Sequence, residues 1–310
     1  MAVIWITGGK GFIGRALAEY VAKQGYDIFG IGHGFWSTEE AAKSSYSTWI
    51  NAEIDFSNLN HLASISGVPK VIFHLAGGST VGASLQNPYE DFQRTVDTTA
   101  RLLDWVKQVS SDTRVVAASS AAVYGACISG TISEQAKGTP YSPYGFHKSM
   151  LESLFKSYRE TFNLDVAVVR LFSVYGAGLE KQLLWDLCNK ILKAETAEIT
   201  LNGTGKELRD WLHVSDAAAL LWLVAERNHS ADIVINGGTG IATSISEVAN
   251  KVLEQWGGQH VANFNGVARA GDPLSLVANV KKANELGFKP LINLDVGIKD
   301  MVKWFKARVI

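Results

Sequence analysis

Tyr144 and Lys148 stand four residues apart in the stretch SPYGFHKSM (142–150). Leu151, Leu154, Phe155 and Tyr158 follow at helical spacing, which puts the phenol and the ammonium on one face of a helix. A phenol has an ordinary pKa of about 10, too high for a base near neutrality. An adjacent ammonium favours the phenolate. Lowering the phenol by about three units needs roughly 4 kcal/mol of differential stabilisation. Such a pair can move a proton to or from a substrate oxygen as hydride moves. Ser119 and Ser120 lie in AASSAAVYG (117–125) and add hydroxyls that can hold and polarise that oxygen. Taken alone, Tyr-x-x-x-Lys is more often an accident of a helix surface, so the rest of the chain must decide.

ITGGKGFIG (6–14) follows a short apolar run, Val3 to Thr7, and opens an amphipathic stretch from Phe12 to Lys23. That order reads as strand, tight turn and helix. Gly8 allows the sharp turn, Gly11 lets backbone N–H groups approach a pyrophosphate, and Gly14 permits close helix-on-strand packing. Phe12 and Ile13 fall between the last two glycines and join the same cofactor set. The dinucleotide type is read at the end of the second strand, where an NAD site usually carries Asp or Glu. Here YDIFGIGHG (26–34) places Gly32 there, then His33. With no carboxylate to repel a 2′-phosphate, the reading leans slightly to NADP(H), with NAD(H) as the alternative and His33 as a candidate contact. Asp55, after a third strand, is a candidate acceptor for the adenine amino group.

These residues need a scaffold. Val71–Ala76, Val115–Ala118 and Val166–Leu171 are further apolar, β-branched runs, and helical stretches lie around 90–109 and 145–161. Strands apolar on both faces and alternating with helices predict a parallel sheet covered on both sides. The expected fold is α/β: a Rossmann-type doubly wound sheet over residues 1–172, with segments of about 209–240 returning to it. A smaller, interleaved substrate-binding part takes most of 173–310. The last helix, from about Asp295, is expected to carry Leu294, Ile298, Met301, Val302 and Phe305 on one stripe.

Bulk properties narrow the classes. The chain has 310 residues, 47% apolar and 19% charged, with a formal net charge of −1. That balance gives no electrostatic case for nucleic acid or an anionic membrane. No apolar run of about 18 residues exists to span a bilayer. The two cysteines, Cys127 and Cys188, form no metal-ligand cluster and fit a reducing cytoplasm.

Motifs along the whole chain carry a resemblance. TGGKGFIG, HLAG (74–77), SSAAVYG (119–125), SPYGFHK (142–148), RLFSVYGAG (170–178), RDWLHVSDAA (209–218), RAGDP (269–273) and LGFKP (286–290) occur in the order and spacing of one group. The chain resembles an extended short-chain dehydrogenase/reductase of the nucleotide-sugar epimerase, dehydratase and 4-ketoreductase family. The resemblance implies Ser120 as catalytic serine in preference to Ser119, Tyr144 as acid/base, and Lys148 as the holder of the nicotinamide ribose. It implies that Leu75, Ala76 and Gly77 line the cofactor. On the substrate side it implies Ser84 near the sugar, Arg209 and Arg269 on the diphosphate, and Asp272 near the nucleotide ribose. It also implies a homodimer through a four-helix bundle built from 90–107 and 145–161, with Phe146, Met150 and Phe155 as candidate contacts.

Some positions depart from that family's pattern. Ser173 and Thr95 stand where asparagine is usual, which shortens two contacts. Ala121 and Ala122 replace the Asp-Glu pair of 4,6-dehydratases, so no acid is there to protonate a leaving hydroxyl. Two reactions remain, both hydride exchange at sugar C4. The missing acid at Gly32 favours an NDP-4-keto-6-deoxyhexose 4-ketoreductase. The alternative is a nucleotide-sugar 4-epimerase with tightly held NAD. A non-catalytic dinucleotide-binding protein is a third reading, disfavoured because both Tyr144 and Lys148 are present. Leu183, Leu184 and Trp185 either cover the ligand or pack inside the smaller part.

Overall fold

The computed structural model describes residues 2–126, 130–227, 234–267 and 273–309. Its first half alternates strand and helix: β1 (Val3–Thr7), α1 (Phe12–Ala22), β2 (Asp27–Gly32), α2 (Thr38–Lys43), β3 (Thr48–Asn51), α3 (Phe56–Ser66) and β4 (Val71–His74). Two short helices, α4 (Val81–Gln86) and α5 (Pro88–Phe92), lead through a π-helical turn (Gln93–Asp97) into α6 (Thr98–Val109). Then come β5 (Arg114–Ser120), a 3₁₀ turn (Ala121–Tyr124), α7 (Pro143–Phe162) and β6 (Val166–Leu171).

The second half is β7 (Ser173–Tyr175), α8 (Gln182–Leu192), β8 (Glu198–Leu201), β9 (Leu208–Arg209), β10 (Trp211–His213), α9 (Val214–Glu226) and β11 (Val234–Gly237). It ends with β12 (Thr243–Ser244), α10 (Ile245–Trp256), β13 (Val261–Phe264), β14 (Ser275–Leu276), α11 (Lys281–Glu285) and α12 (Leu294–Val309).

Seven strands form one sheet in the order β3-β2-β1-β4-β5-β6-β11, every neighbour pair parallel. Strand order reverses between β1 and β4, and such a switch point opens a crevice at the carboxyl ends of the strands. The apolar strands feed both faces, as the sequence predicts for a doubly wound Rossmann-type sheet. On one face Ile4, Ile6 and Phe73 pack with Leu17 and Val21 of α1 and Leu220 and Leu221 of α9. On the other, Trp5, Ile72 and Val115 pack with Leu59 of α3, Leu102 and Val106 of α6, and Leu151 and Phe155 of α7. Trp5 and Trp105 meet there with ring centroids 5.1 Å apart, a pairing that adds roughly 0.5–1.5 kcal/mol beyond area burial.

A third core joins Leu184, Leu187 and Cys188 of α8 to Val248 and Val252 of α10 and to Ile298, Met301, Val302 and Phe305 of α12. The stripe predicted on the last helix is therefore its buried face, with Leu294 at the margin. Leu184 is buried there, Leu183 packs against this core, and Trp185 meets Phe305 edge-on with centroids 4.9 Å apart, so these residues pack inside the smaller part. Phe155 is also core, fully buried, and so cannot face a partner as the sequence reading allowed. Phe146 and Met150 remain 46% and 44% exposed on α7. Among the described residues no helix is long and apolar enough to cross a membrane.

Candidate active site

The glycine turn is built by contact. Gly8 has φ +67°, and a Cβ there would lie 2.7 Å from the Ala76 backbone N. The ends of β1 and β4 thus meet backbone to backbone, which only glycine permits. A Cβ on Gly14 would lie 2.6 Å from Gly9 Cα, so α1 can sit down on the turn. Gly11 is the N-cap of α1 and offers no side-chain cap. The helix N-terminus, with Gly11, Phe12, Ile13 and Gly14 on the wall, therefore opens onto a cavity of about 970 Å³. Uncapped N–H groups and the helix dipole suit a pyrophosphate, so the residues present fit a dinucleotide.

Gly32 and His33 line the same cavity at the end of β2. Asp55 does not. Its carboxylate accepts from Asn58 N at 2.8 Å and Asn58 Nδ2 at 2.9 Å, capping α3. An Asp immediately before an apolar helical run is an N-cap signature, a signal already present in the sequence. Ala52, Glu53 and Ile54 stand on the wall instead, and the sequence reading missed them. Leu75, Ala76 and Gly77 line the wall after β4.

Ser120, Tyr144 and Lys148 all face this cavity. Ser142 caps α7 by accepting from Gly145 N at 3.3 Å, with Pro143 in the first helical turn. Ser84 Oγ accepts from Tyr144 N at 3.1 Å and donates to Val81 O at 2.8 Å. Ser84 is thus fully buried, bracing the helix start, and is not among the residues that line the cavity. Lys148 Nζ lies 5.9 Å from the Tyr144 ring centroid. Burial lowers the Lys148 pKa to about 8, against the raising influence of Asp91 and Glu152.

The Tyr144 phenol differs from the sequence-based account. Burial raises its pKa, and the neighbouring Ser120 hydroxyl only partly offsets that shift. Desolvation penalises the phenolate, and burial could not be read from the Tyr-Lys spacing.

Two buried networks hold these groups. Ser119 Oγ donates to Glu152 Oε1 at 2.6 Å, and Arg170 grips the same carboxylate through Nε (2.9 Å) and Nη2 (2.6 Å). That commits the Ser119 hydroxyl. Ser120 Oγ accepts only a local bond from Ala122 N at 3.2 Å and remains beside Tyr144. The second network joins β1 to α6. His74 Nδ1 contacts Thr7 Oγ1 at 2.8 Å and its Nε2 contacts Thr99 Oγ1 at 3.0 Å. Thr99 Oγ1 donates to Thr95 O, while Thr95 Oγ1 accepts from Gly78 N at 2.8 Å. Thr95, where asparagine was expected, therefore shapes the Gly77–Gly78 turn.

Ser173 and Arg209 line the same cavity. Arg209 Nη1 donates to the carbonyls of Leu208 and Pro273, both at 2.8 Å. Lys181, the N-cap of α8, and Gln182, its first residue, are wall residues the sequence reading did not single out. Burial alone shifts the Lys181 ammonium, downwards. Arg269 and Asp272 lie outside the described residues.

A sequence model described as the NAD dependent epimerase/dehydratase family matches residues 4–237. A putative UDP-glucose 4-epimerase of Methanocaldococcus jannaschii is 29% identical over 314 residues, covering 98% of each chain. A UDP-glucuronate 4-epimerase of Thermodesulfobacterium geofontis is 27% identical, covering 100% of this chain and 98% of its own. The solved structure of MoeE5 in complex with UDP-glucose and NAD shares 30% identity and a TM-score of 0.87 over the whole of both chains. These findings weigh against the 4-ketoreductase expectation and give the lean to NADP no support; the absence of an acid at Gly32 is not by itself a reading of the cofactor. The chain belongs to the NAD-dependent epimerase/dehydratase family and is an enzyme of the extended short-chain dehydrogenase/reductase type.

Proposed function

We propose that this enzyme is a nucleotide-sugar 4-epimerase that retains NAD. The observation that carries the reading is one continuous cavity lined by the glycine turn, Ser120, Tyr144 and Lys148 together with Ser173, Lys181 and Arg209. Its volume, about 970 Å³, suits a large two-part ligand. The epimerase names of its relatives and the NAD in MoeE5 support the same reading.

When bound, NAD supplies an acceptor for hydride from the sugar carbon and a donor for its return. Gly11, Phe12, Ile13 and Gly14 would hold its pyrophosphate, with Leu75, Ala76 and Gly77 along its length and Glu53 and His33 at the adenosine end. Tyr144 takes the C4 hydroxyl proton and later returns one to the C4 oxygen. Ser120 donates to that oxygen and holds it in place in both half-reactions. Lys148, an ammonium below about pH 8, offsets the charge on the phenolate. Arg209 and Lys181 bind the sugar diphosphate, the guanidinium offering planar, paired donors, while the sugar presents either face to the cofactor. Phe146 and Met150 mark the α7 face proposed for a homodimer.

The test uses protein purified without added nucleotide. Its bound cofactor is extracted and identified, and UDP-glucose, UDP-galactose, UDP-glucuronate and their N-acetylhexosamine counterparts are each incubated with it. The reading requires co-purified NAD and interconversion at C4 with no cofactor added. An empty site with NADPH consumed on a 4-keto sugar would overturn it.

A further inference from the structure

Gly77 and Gly78 form a thin wall between two buried charges. A Cβ on Gly77 would lie 3.3 Å from Lys148 Nζ and 3.3 Å from Thr95 Oγ1. A Cβ on Gly78 would overlap Asp91 Oδ1. The carboxylate of α5 and the ammonium of α7 therefore press on consecutive glycines of one turn. Asp91 is only 6% exposed and Lys148 only 4%. The other carboxylate oxygen, Oδ2, bonds His147 Nδ1 at 2.5 Å. His147 immediately precedes Lys148, and Phe92 meets its ring edge-on with centroids 5.6 Å apart. A buried carboxylate is costly unless a positive group faces it.

The surroundings leave few other charges to act. From α7 the groups facing this corner are Tyr144, His147, Lys148 and Glu152. From β4 comes His74, which is neutral over the working range because burial and Lys148 lower its pKa to about 3. On the same helix as Asp91, Glu90 is engaged by Arg94 at the surface. Helix α4 carries no ionisable residue. Glu152 is already held by Arg170 and Ser119. Asp91 is the strongest charge favouring the Lys148 ammonium, and the same charge disfavours the Tyr144 phenolate.

We propose that Asp91, held in place by His147, is a positioning residue: the buried counter-charge that keeps Lys148 an ammonium and thereby sets the pH range in which Tyr144 works. It touches no reacting atom and acts through Lys148. The inference rests on the proton-transfer reading above, but its test does not need turnover.

Protein carrying carbon-13 at the lysine ε-position is titrated by NMR with NAD present, and the Lys148 signal is assigned by its loss in Lys148→Met. The wild-type midpoint is expected at about 8. Asp91→Asn should move it down by about one unit. Asp91→Glu, which keeps the charge, should restore it to within about a third of that shift. An unchanged midpoint in a folded Asp91→Asn protein overturns the proposal. Asp91→Ser removes the same charge with a smaller side chain and serves if the Asn variant does not fold. Failure of both to fold would make the pair a packing element and would also overturn it. Should no nucleotide sugar turn over while the midpoint still moves, the epimerase reading falls and this one stands.

Discussion

Lys148 Nζ donates to the carbonyl oxygen of Ala118 at 2.9 Å, tying the first third of α7 to the end of β5. The bond orients the ammonium but does not repay its burial. The folded pKa, about 8, lies below the ordinary value of 10.5. The unfolded chain therefore binds more protons between those values, and this group's contribution to stability rises as pH climbs from about 8 to 10.5. Below about 8 the full cost applies, about 3 kcal/mol for the gap between the two values. Lys148→Met removes that cost and loses a hydrogen bond worth about 1 kcal/mol. The variant should be inactive yet about 2 kcal/mol more stable than wild type at pH 7. Urea unfolding of both proteins at pH 7 and pH 10.5 checks this, since the advantage should disappear at the higher pH.

Tyr144→Phe should reduce kcat by roughly 10²–10⁴-fold, the range for loss of a general acid/base, and leave the co-purified NAD content unchanged. Ser120→Ala should cost about 10²-fold. Single-turnover rates alongside cofactor extraction separate the two effects. A Tyr144→Phe enzyme with wild-type kcat would rule out the phenol as the acid/base.

The Lys181 ammonium loses hydration at the wall without a carboxylate shifting it back. Lys181→Met should raise KM for a nucleotide diphosphate sugar about tenfold with a much smaller change in kcat, the pattern of lost uniform binding. Steady-state kinetics with the intact nucleotide sugar and with the free sugar check the assignment. The free sugar should show no difference.

His74 sits fully buried between Thr7 and Thr99, with its pKa lowered to about 3 from 6.5. A depressed folded pKa means stability present above about 6.5 and lost as pH falls toward 3, because the unfolded imidazole takes the proton first. At pH 4.5 the loss from this residue is about 3 kcal/mol. Replacing it with Gln should flatten the fall in urea midpoint between pH 7 and pH 4.5.

Arg170 and Glu152 form a buried, two-pronged ion pair that also carries Ser119 and Tyr124. Arg170→Met would leave an uncompensated buried carboxylate, at a cost of about 3–5 kcal/mol. Arg170→Met with Glu152→Leu should recover most of that loss. Chemical denaturation of the two variants decides it.

The sheet was legible because β1, β4, β5 and β6 are apolar on both faces, and glycine spacing announced the turn at Gly8. Tyr144 and Lys148 were legible because side chains four apart share a helix face. What escaped depends on distance across the chain. Nothing in the spacing says that burial raises the pKa of the phenol. Ser84 looked like a wall residue, but its hydroxyl reaches back to the Tyr144 backbone. Asp91 and His147 are 56 residues apart, and only the packing of α5 on α7 brings them together. Asp55 was different: its capping role could have been read from the Phe56–Ser66 helix it starts.

The chain leaves the seven-stranded sheet after β6 and rejoins it at β11, having meanwhile laid down Lys181 and Arg209. The lining residues before β6 and those after it are therefore stitched into one covalent fabric, with no seam at which to cut. Retailoring such an enzyme by exchanging modules with a relative would require transplanting at least two separate inserts in register, whereas point changes on the Lys181 and Arg209 wall leave the weave intact.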